Sequence, residues 1–510
     1  MAKKPTQLLS GNEAVALGAA EAGLGFASGY PGTPSTEIIE SLARLTDIDC
    51  QWAINEKVAF EVAYGASIGG LRSLFTAKHV GINVAMDPLM TAAYTGVNGG
   101  FVVVSCDDPG MGSSQNEQDN RLLAQAAKIP LVEPVSPGEA HTFVKEAFQI
   151  SEDFDTPVML RMTTRVCHTK QNITPGIAQP MVRKPFATDI RKYVMLPANA
   201  RARRTGMDQR LAHLKDYSEH GPLNTVELNN RKLGFIVSGV AYLHAKEMYP
   251  NASFLKLGMS YPFPADMARS FAQSVEKVVV LEELEPFIET MCRLAGITVQ
   301  GKHPSFAMGE LKPEFVPLIV DGKEKTTVLA AARKPALCAG CPHRLVFGVL
   351  RTLGLTVAGD IGCYTLSAIA PFESMHTCLC MGGGITIFEG LWHALKKNVV
   401  GVIGDSTFMH SGVTGLMSAA YNGAKGVIII LDNGTTAMTG GQPHPATGTG
   451  LRGQKTKQVK IEDLARVAGA DEVDVIDPIN VKEFEALLKQ RVSEDKLSVI
   501  ITRRPCKLSC

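Results

Sequence analysis

Short apolar runs that end in turn residues, each followed by a segment with helical spacing, recur along this chain. Over residues 9–185, "GNEAVALGAAEAG" predicts a helix and "FASGYPGTPSTEI" a strand, a loop and a helix start. "FVVVSCDDPG" predicts a buried strand closed by a turn, and "PGEAHTFVKEAFQISEDFDTPVMLRMTTR" a helix followed by a strand. In "STEIIESLARL", Ser35 or Thr36 is expected to cap the helix, with Glu37 in its first turn. The pattern breaks near residue 186. The segment 186–230 is basic, polar and strand-free in pattern, and reads as a linker with a surface helix. A smaller α/β unit follows over 231–325, with strands in "KLGFIVS", "ASFLKLGMS" and "EKVVVLEEL". A further α/β region occupies 326–510. The predicted architecture is α/β, with related layers at 1–185 and 326–510 and a smaller domain between them.

At 510 residues the chain is too long for one ordinary core. Lys and Arg number 51 against 50 Asp and Glu, a net charge of +1, which argues against binding nucleic acid or a membrane surface through charge. The basic cluster in 186–230 is therefore read as a solvated helix face. No apolar run reaches spanning length and no leader pattern precedes "MAKKPTQLLSGNEAVALGA", so a cytoplasmic protein is expected. Its eleven cysteines should then be reduced. Cys50, Cys106, Cys167 and Cys292 stand singly in apolar contexts and are expected in the core.

The chemistry concentrates near the C-terminus. "GVIGDS" and "GVIIILDNG" each read as a buried strand ending in a turn, with a crossover helix between them. Two parallel strands would present Asp405 and Asn433, 28 residues apart, at their carboxyl ends, where open α/β sheets bind ligands. A carboxylate and an amide oxygen suit Mg2+, which usually accompanies phosphates. "AGDIGCYTL" places Asp360 and Gly362 at another strand end. Gly382, Gly383 and Gly384 open a helix, where backbone N–H groups favour phosphate oxygens.

"GDS…LDNG" resembles the Mg–thiamine diphosphate motif, with Ser406 in place of the usual second glycine. The resemblance implies that Asp405, Asn433 and the backbone carbonyl of Thr435 hold Mg2+. It implies further cofactor contacts along Gly404, Ser406 and Thr407, along Thr436, Ala437 and Met438, and at Asp360, Gly362, Cys380, Met381, Gly382 and Gly383. Thiamine chemistry also requires a carboxylate beside the aminopyrimidine, to promote the tautomer that deprotonates the reactive carbon. "INEKVAFEVAYGASIGG" is similar to the segment E-x-x-A-x-x-x-A-x-G-A-S of 2-oxoacid:ferredoxin oxidoreductases, and aligning on "GAS" assigns that role to Glu56 rather than Glu61. "GYPGTPSTEI" resembles a loop whose threonine contacts substrate, here Thr33. "AKHVGINVAMDPLM", "DDPGMGSSQNEQDNR", "YVMLPANAR", "LCAGCPHR" and "TTAMTGGQPHP" extend the resemblance to the large subunit of the indolepyruvate type, over about residues 10–506. It implies a thiamine-diphosphate-binding fold: a pyrimidine-type domain at 1–185, a linker at 186–230, a swivel-like domain at 231–325 and a diphosphate-type domain at 326–510. Lys78 and His79 stand where pyruvate-type relatives carry Thr-Ser, and are expected to shape the substrate pocket. The arginine that grips the substrate carboxylate in pyruvate enzymes has no obvious counterpart, with Arg121 the candidate.

Cys338 and Cys341 form a C-x-x-C pair, Cys363 lies 22 residues later, and Cys506 a further 143. That spacing makes a poor zinc knuckle and a credible [4Fe–4S] site. The related oxidoreductases hold a proximal cluster in this way, with Cys510 an alternative to Cys506. Cys378 and Cys380 are expected to line the cofactor site. The C-terminal ferredoxin module of the indolepyruvate type is not found in the sequence, so onward electron transfer is expected on another polypeptide or on a segment beyond this sequence. The implied reaction is oxidative decarboxylation of a 2-oxoacid, aryl pyruvates such as indolepyruvate foremost. Coenzyme A would be the acyl acceptor, and a smaller β subunit and a ferredoxin-like protein the partners in a hetero-oligomer built on a dimer. The alternatives are a non-oxidative thiamine decarboxylase without a cluster, and a cofactor-binding scaffold without catalysis.

Overall fold

The computed structural model describes residues 5–186, 188–325 and 335–508. The chain divides into two compact units, residues 1–328 and 329–510.

The first unit contains a seven-stranded sheet. Its strands run in spatial order Met259–Tyr261, Leu131–Val132, Val158–Thr163, Phe101–Asp107, Ser73–Lys78, Phe26–Gly29 and Asp49–Trp52. All neighbours are parallel except Met259–Tyr261, which pairs antiparallel with Leu131–Val132. "VVVSC" is buried throughout and mostly apolar because a central parallel strand is covered on both faces. The crossover helices have local stops and starts. Ser10 and Glu13 form a reciprocal capping box ahead of Gly11–Glu21. Asn55 accepts the backbone N–H of Val58 at 2.9 Å and so opens Glu56–Ile68. The expected cap of Thr36–Leu45 is different: Ser35 holds helical dihedrals and donates to the carbonyl of Gly32, while Thr36 Oγ1 accepts the Gly32 N–H. These hydroxyls brace the preceding loop instead of the helix end.

The expected linker and swivel region turn out to be tied to this sheet. Pro197–His220 is a single helix with Met207, Arg210 and Leu214 buried, and Arg203 and Arg210 donate to carbonyls at the end of the helix Met86–Thr95. Nor is 186–230 strand-free, because Asn224–Glu227 forms the antiparallel edge of a four-stranded sheet, ordered Val278–Leu281, Asn230–Ser238, Ala252–Leu257, Asn224–Glu227. Polar composition hid it, since an edge strand keeps a solvated face. "ASFLKLGMS" breaks at Gly258, where a Cβ would stand 2.4 Å from the carbonyl oxygen of Leu223. Its last part, Met259–Tyr261, joins the seven-stranded sheet. One core accordingly includes Phe60, Phe75 and Phe101 together with Ile236, Leu255 and Phe287. The rings of Phe60 and Phe101 meet edge-on at 5.1 Å, an arrangement that adds about 0.5–1.5 kcal/mol beyond area burial. Cys50, Cys106, Cys167 and Cys292 are buried thiols, as expected of apolar positions.

The second unit is built on five parallel strands, ordered Thr356–Ala358, Val399–Gly404, Gly426–Asp432, Leu497–Arg503, Glu472–Ile476. Two apolar clusters cover its two faces, one around Phe388, Phe408 and Ile430, the other around Phe347, Ile429 and Phe484. Gly404 pairs with Leu431, so the turns after both strands open at the same edge of the sheet. Among the described residues no helix is long and apolar enough to cross a membrane.

Candidate active site

In the second unit, Asp405 and Asn433 follow the adjacent strands Val399–Gly404 and Gly426–Asp432, with helical turns from Asp405 to Tyr421 between them. Asp405 is almost fully buried and organises the edge: its oxygens accept the N–H groups of Ser406 at 2.8 Å, Asn433 at 3.1 Å and Gly434 at 2.7 Å. Asn433 Oδ1 accepts the Thr435 N–H at 3.1 Å. The carbonyl of Thr435 accepts from Ala437, which leaves its second lone pair available. Ser406 and Thr436 share a hydroxyl contact of 2.9 Å, and Thr407 donates to the carbonyl of Ile361. The Gly404 N–H is held by the buried Tyr364 hydroxyl at 2.8 Å. Met438 is half exposed beyond this loop.

Two histidines that the sequence reading gave no role stand against this pair. His343 Nε2 lies 3.4 Å from Asn433 Nδ2, and burial pushes its pKa down to about 4, against the field of Asp405. His444 Nε2 lies 3.3 Å from Asp405 Oδ2, outside hydrogen-bond geometry, and both its ring nitrogens are buried without a hydrogen-bond partner. Both sit in quoted motifs, "CPHR" and "GGQPHP", but a lone histidine carries no spacing signal. A buried carboxylate, an amide oxygen and a turn carbonyl at one sheet edge fit Mg2+. His444, with neither ring nitrogen hydrogen-bonded and Nε2 beside Asp405, fits a neighbouring anionic oxygen, so the donor set suits a metal diphosphate.

The glycine run behaves differently from the expectation. Gly382 and Gly384 donate to the two carboxylate oxygens of Asp360, at 3.0 and 2.7 Å, and Gly383 donates to the carbonyl of Cys380. The start of the helix Gly383–Leu395 is thus already capped by an internal carboxylate, and those amides do not face an open phosphate cradle. Asp360 is fully buried, and burial pushes its pKa up to about 6 against the three N–H bonds it accepts from Gly384, Ile361 and Gly382. At Gly382 the backbone is left-handed (φ 86°), and a Cβ would strike Ser411 Oγ at 2.0 Å. The Met381 carbonyl accepts from that same hydroxyl. Cys378 donates to the carbonyl of Asp360, and Cys380 is exposed.

The four spaced cysteines lie within electrostatic reach of one another. Burial first, then the thiols of Cys341, Cys506 and Cys338, push Cys363 up to about 11. Cys341 is raised by burial and then by Cys338 and Cys506. Lys507 Nζ donates to the carbonyl of Ala339 inside the C-x-x-C loop, and the Cys506 N–H donates to the carbonyl of Asn433 at 3.0 Å. The last strand therefore delivers Cys506 beside both the cysteine loop and the Asp-Asn edge. Among the described residues no three His, Cys, Asp or Glu side chains are grouped closely enough to hold a metal ion, and Cys510 lies outside the described residues.

The first unit gathers a second set. Glu56 opens its helix almost fully buried, and packs against Gly81, where a Cβ would stand 2.8 Å from its Oε1. The stem of Lys78 lies along Gly32, and its ammonium donates to the carbonyl of Ser113 at 2.8 Å. The hydroxyl of Ser113 donates to the carbonyl of Thr33 at 3.3 Å. His79 is fully buried, with Nε2 3.1 Å from the carbonyl oxygen of Asn116. Burial holds its pKa below the ordinary histidine range, against the pull of Asp107. Arg121 is not available to a substrate. It is buried among Asp119, Glu282 and the carbonyls of Glu283 and Glu285, which occupy its guanidinium on every side.

Comparison with known proteins is consistent across most of the chain. The family described as pyruvate flavodoxin/ferredoxin oxidoreductase, thiamine diphosphate-binding, matches residues 17–217, and the C-terminal binding domain of thiamine pyrophosphate enzymes matches 360–502. The indolepyruvate oxidoreductase subunit IorA of Archaeoglobus fulgidus is 39% identical over 98% of this chain and 86% of its own length. The subunit of the same name from Methanothermobacter thermautotrophicus is 37% identical, with 98% and 87% covered. The solved 2-oxoglutarate:ferredoxin oxidoreductase of Magnetococcus marinus, with 2-oxoglutarate, coenzyme A and succinyl-CoA bound, shares the fold. Its TM-score is 0.54 at 18% identity, over 62% of this chain and 65% of that one.

Proposed function

The chain belongs to the family of indolepyruvate oxidoreductase IorA subunits, thiamine-diphosphate-dependent oxidoreductases of 2-oxoacids, and from that premise we propose that it oxidatively decarboxylates aryl pyruvates such as indolepyruvate to acyl-CoA and CO2. The observation that carries the reading is the sheet edge at which Asp405 and Asn433 stand side by side while the Cys506 amide bonds the Asn433 carbonyl. Three neighbouring parallel strands end there, so the residues read as a metal-diphosphate donor set and the fourth thiol come from the same edge of one sheet. Thiamine diphosphate, when bound, supplies the nucleophilic carbon and the electron sink that the reaction needs.

The chain's own residues divide the remaining work. Asp405, Asn433 and the Thr435 carbonyl hold Mg2+, and Ser406 and Thr436 orient the loop that carries them. Glu56, buried at its helix start, would be the carboxyl that holds the proton shared with the aminopyrimidine ring when the cofactor is bound. Thr33 contacts the substrate, and buried His79 walls the same pocket. Cys338, Cys341, Cys363 and Cys506 would supply the four thiolates of a [4Fe–4S] cluster, whose chemistry when bound is one-electron transfer. A smaller β subunit and a ferredoxin-like acceptor complete an assembly placed in the cytoplasm.

The test is iron, acid-labile sulfide and turnover on anaerobically purified protein assembled with its partner subunit. About four iron and four sulfide per chain, with coenzyme A-dependent reduction of a viologen dye by an aryl pyruvate, are expected. Glu56→Gln should retain thiamine diphosphate and lose turnover. Release of an aldehyde by iron-free protein after attempted reconstitution would instead identify a non-oxidative decarboxylase.

A further inference from the structure

We propose that Lys78 receives the carboxylate of the 2-oxoacid, an assignment that rests on the function proposed above and names the group that orients its substrate. A 2-oxoacid brings one negative charge into a site that already contains the carboxylate of Glu56, so it requires a cation whose bonding is not already complete. Arg121 fails this requirement, since Asp119, Glu282 and two carbonyls surround it. Arg161 fails it too: it leaves Nη2 without a hydrogen bond but is already neutralised by three carboxylates, Asp107 at 2.7 Å, Glu133 at 2.6 Å and Asp119 at 3.5 Å, so it has no charge to offer a further anion.

Lys78 meets it. The residue ends the strand Ser73–Lys78, immediately before the helix His79–Val84, and its side chain is half-buried. Its Cγ and Cδ would lie 3.2 Å from a Cβ at Gly32, so the stem runs along the loop that carries Thr33. An ammonium has three N–H donors. This one makes a single hydrogen bond, to the carbonyl of Ser113, and among the described residues no carboxylate lies within ion-pair distance of it. Asp108 is the nearest rival partner, but its oxygens accept Ser113 N–H at 2.8 Å, Ser114 Oγ at 2.6 Å and Thr164 Oγ1 at 3.1 Å. Burial draws the lysine below its ordinary range, while the fields of Asp108 and Glu56 oppose that and favour the charged form. The position is therefore a cation with two donors to spare, beside the Thr33 loop and in the field of Glu56. A monoanionic substrate supplies the missing partner.

The test uses the holoenzyme with its partner subunit and three variants, Lys78→Met, Lys78→Gln and Lys78→Arg. Lys78→Met and Lys78→Gln should raise KM for an aryl pyruvate about 10- to 100-fold, the range for loss of a charged hydrogen bond, with kcat within a few-fold. KM for coenzyme A and affinity for thiamine diphosphate should not move, and Lys78→Arg should recover part of the loss. Competitive inhibition supplies the readout that a structural role would leave untouched. The wild type should prefer a 3-arylpropionate over its amide, and Lys78→Met should bind the two alike. If kcat falls while KM and the acid-to-amide preference persist, Lys78 acts on Glu56 and the assignment is overturned. If Lys78→Met does not fold, the same comparison in Lys78→Gln decides. Wild-type enzyme that turns over no 2-oxoacid would sink the functional reading and this assignment together; active wild type with unchanged preference in the variants would sink the assignment alone.

Discussion

Gly81 is the residue whose replacement tests the placement of Glu56 most directly. It lies in the short helix His79–Val84 with φ outside the left-handed region, so alanine suits its backbone and improves helix propensity by about 1 kcal/mol. The obstacle is space. An added Cβ would stand 2.7 Å from Glu56 Cγ, 2.8 Å from Glu56 Oε1 and 2.9 Å from the Cβ of Ala77. Ala77 is fully buried in a central strand and has no rotamer to change, so the glutamate side chain is the part that moves. Overpacking of this kind costs about 1–3 kcal/mol. Offset by the propensity gain, the net destabilisation should be about 0–2 kcal/mol and the fold should survive. Catalysis is far less tolerant, because a misplacement of about 1 Å costs on the order of 100-fold. Gly81→Ala should therefore lower kcat about 100-fold in the viologen assay, with thermal unfolding shifted by only a few degrees and thiamine diphosphate still bound. Glu56→Gln should lose the whole proton-transfer contribution, about 100- to 10,000-fold. The double variant should fall no further than Glu56→Gln alone, because one perturbation acts through the other. Two equal and additive losses would show that Gly81 acts elsewhere, and wild-type turnover in Gly81→Ala would refute the tight packing against Glu56.

Two further outcomes concern the second unit. Asp405→Ala removes the acceptor of three backbone N–H groups, so the apo protein should lose about 2–4 kcal/mol of stability and Mg-dependent retention of thiamine diphosphate on gel filtration. Retention at wild-type affinity would remove Asp405 from the metal site. Asp360 gives a pH signature: its carboxyl titrates near 3.8 when unfolded and about 6 when folded. Between those values the unfolded chain has lost a proton that the native state keeps, so stability contributed by this group falls as pH rises from about 4 to 6 and is level above. The rise corresponds to about 3 kcal/mol. Urea unfolding of apo protein should show this decline, and Asp360→Asn should lack it relative to wild type. Identical slopes in the two proteins would refute the buried-acid reading.

The sequence made the strand-to-turn geometry of the second unit readable because parallel strands buried on both faces leave an uninterrupted apolar run and a sharp polar end. Asp405 and Asn433 could be placed from that alone, before any resemblance was considered. Asn224–Glu227 and Met259–Tyr261 were not readable, for opposite reasons. The first is a polar edge strand, and the second is three residues long and belongs to a sheet built mainly from residues more than a hundred positions earlier. Register and partner choice at that range depend on packing between layers, which leaves no local period.

Charge placement raises the same issue in a form that matters for function. Arg121 and Lys78 are both cations near a turn, and residue type favours the arginine, whose planar fork suits a carboxylate. Burial reverses the choice. A guanidinium in the interior needs several acceptors at once, and Arg121 finds them in Asp119 and in Glu282, 161 residues away. Once satisfied it ties the first sheet to the four-stranded one, and replacing it would remove the ion pair of Glu282 and leave Asp119 only Arg161, at 3.5 Å. Lysine has a compact charge on a long apolar stem, so it can lie against Gly32 and present its ammonium with a single bond made. The glycine run follows the same rule. Three N–H groups at a helix start were expected to take an anion; two of them, from Gly382 and Gly384, take Asp360, supplied by the chain itself, and the third bonds the carbonyl of Cys380. Sequence identifies which groups need a partner of opposite charge; only the folded arrangement shows which have found one internally. The groups that have not are the ones left for ligands: Lys78 in the first unit has no carboxylate within ion-pair distance among the described residues, and His444 in the second, though 3.3 Å from Asp405, has neither ring nitrogen hydrogen-bonded.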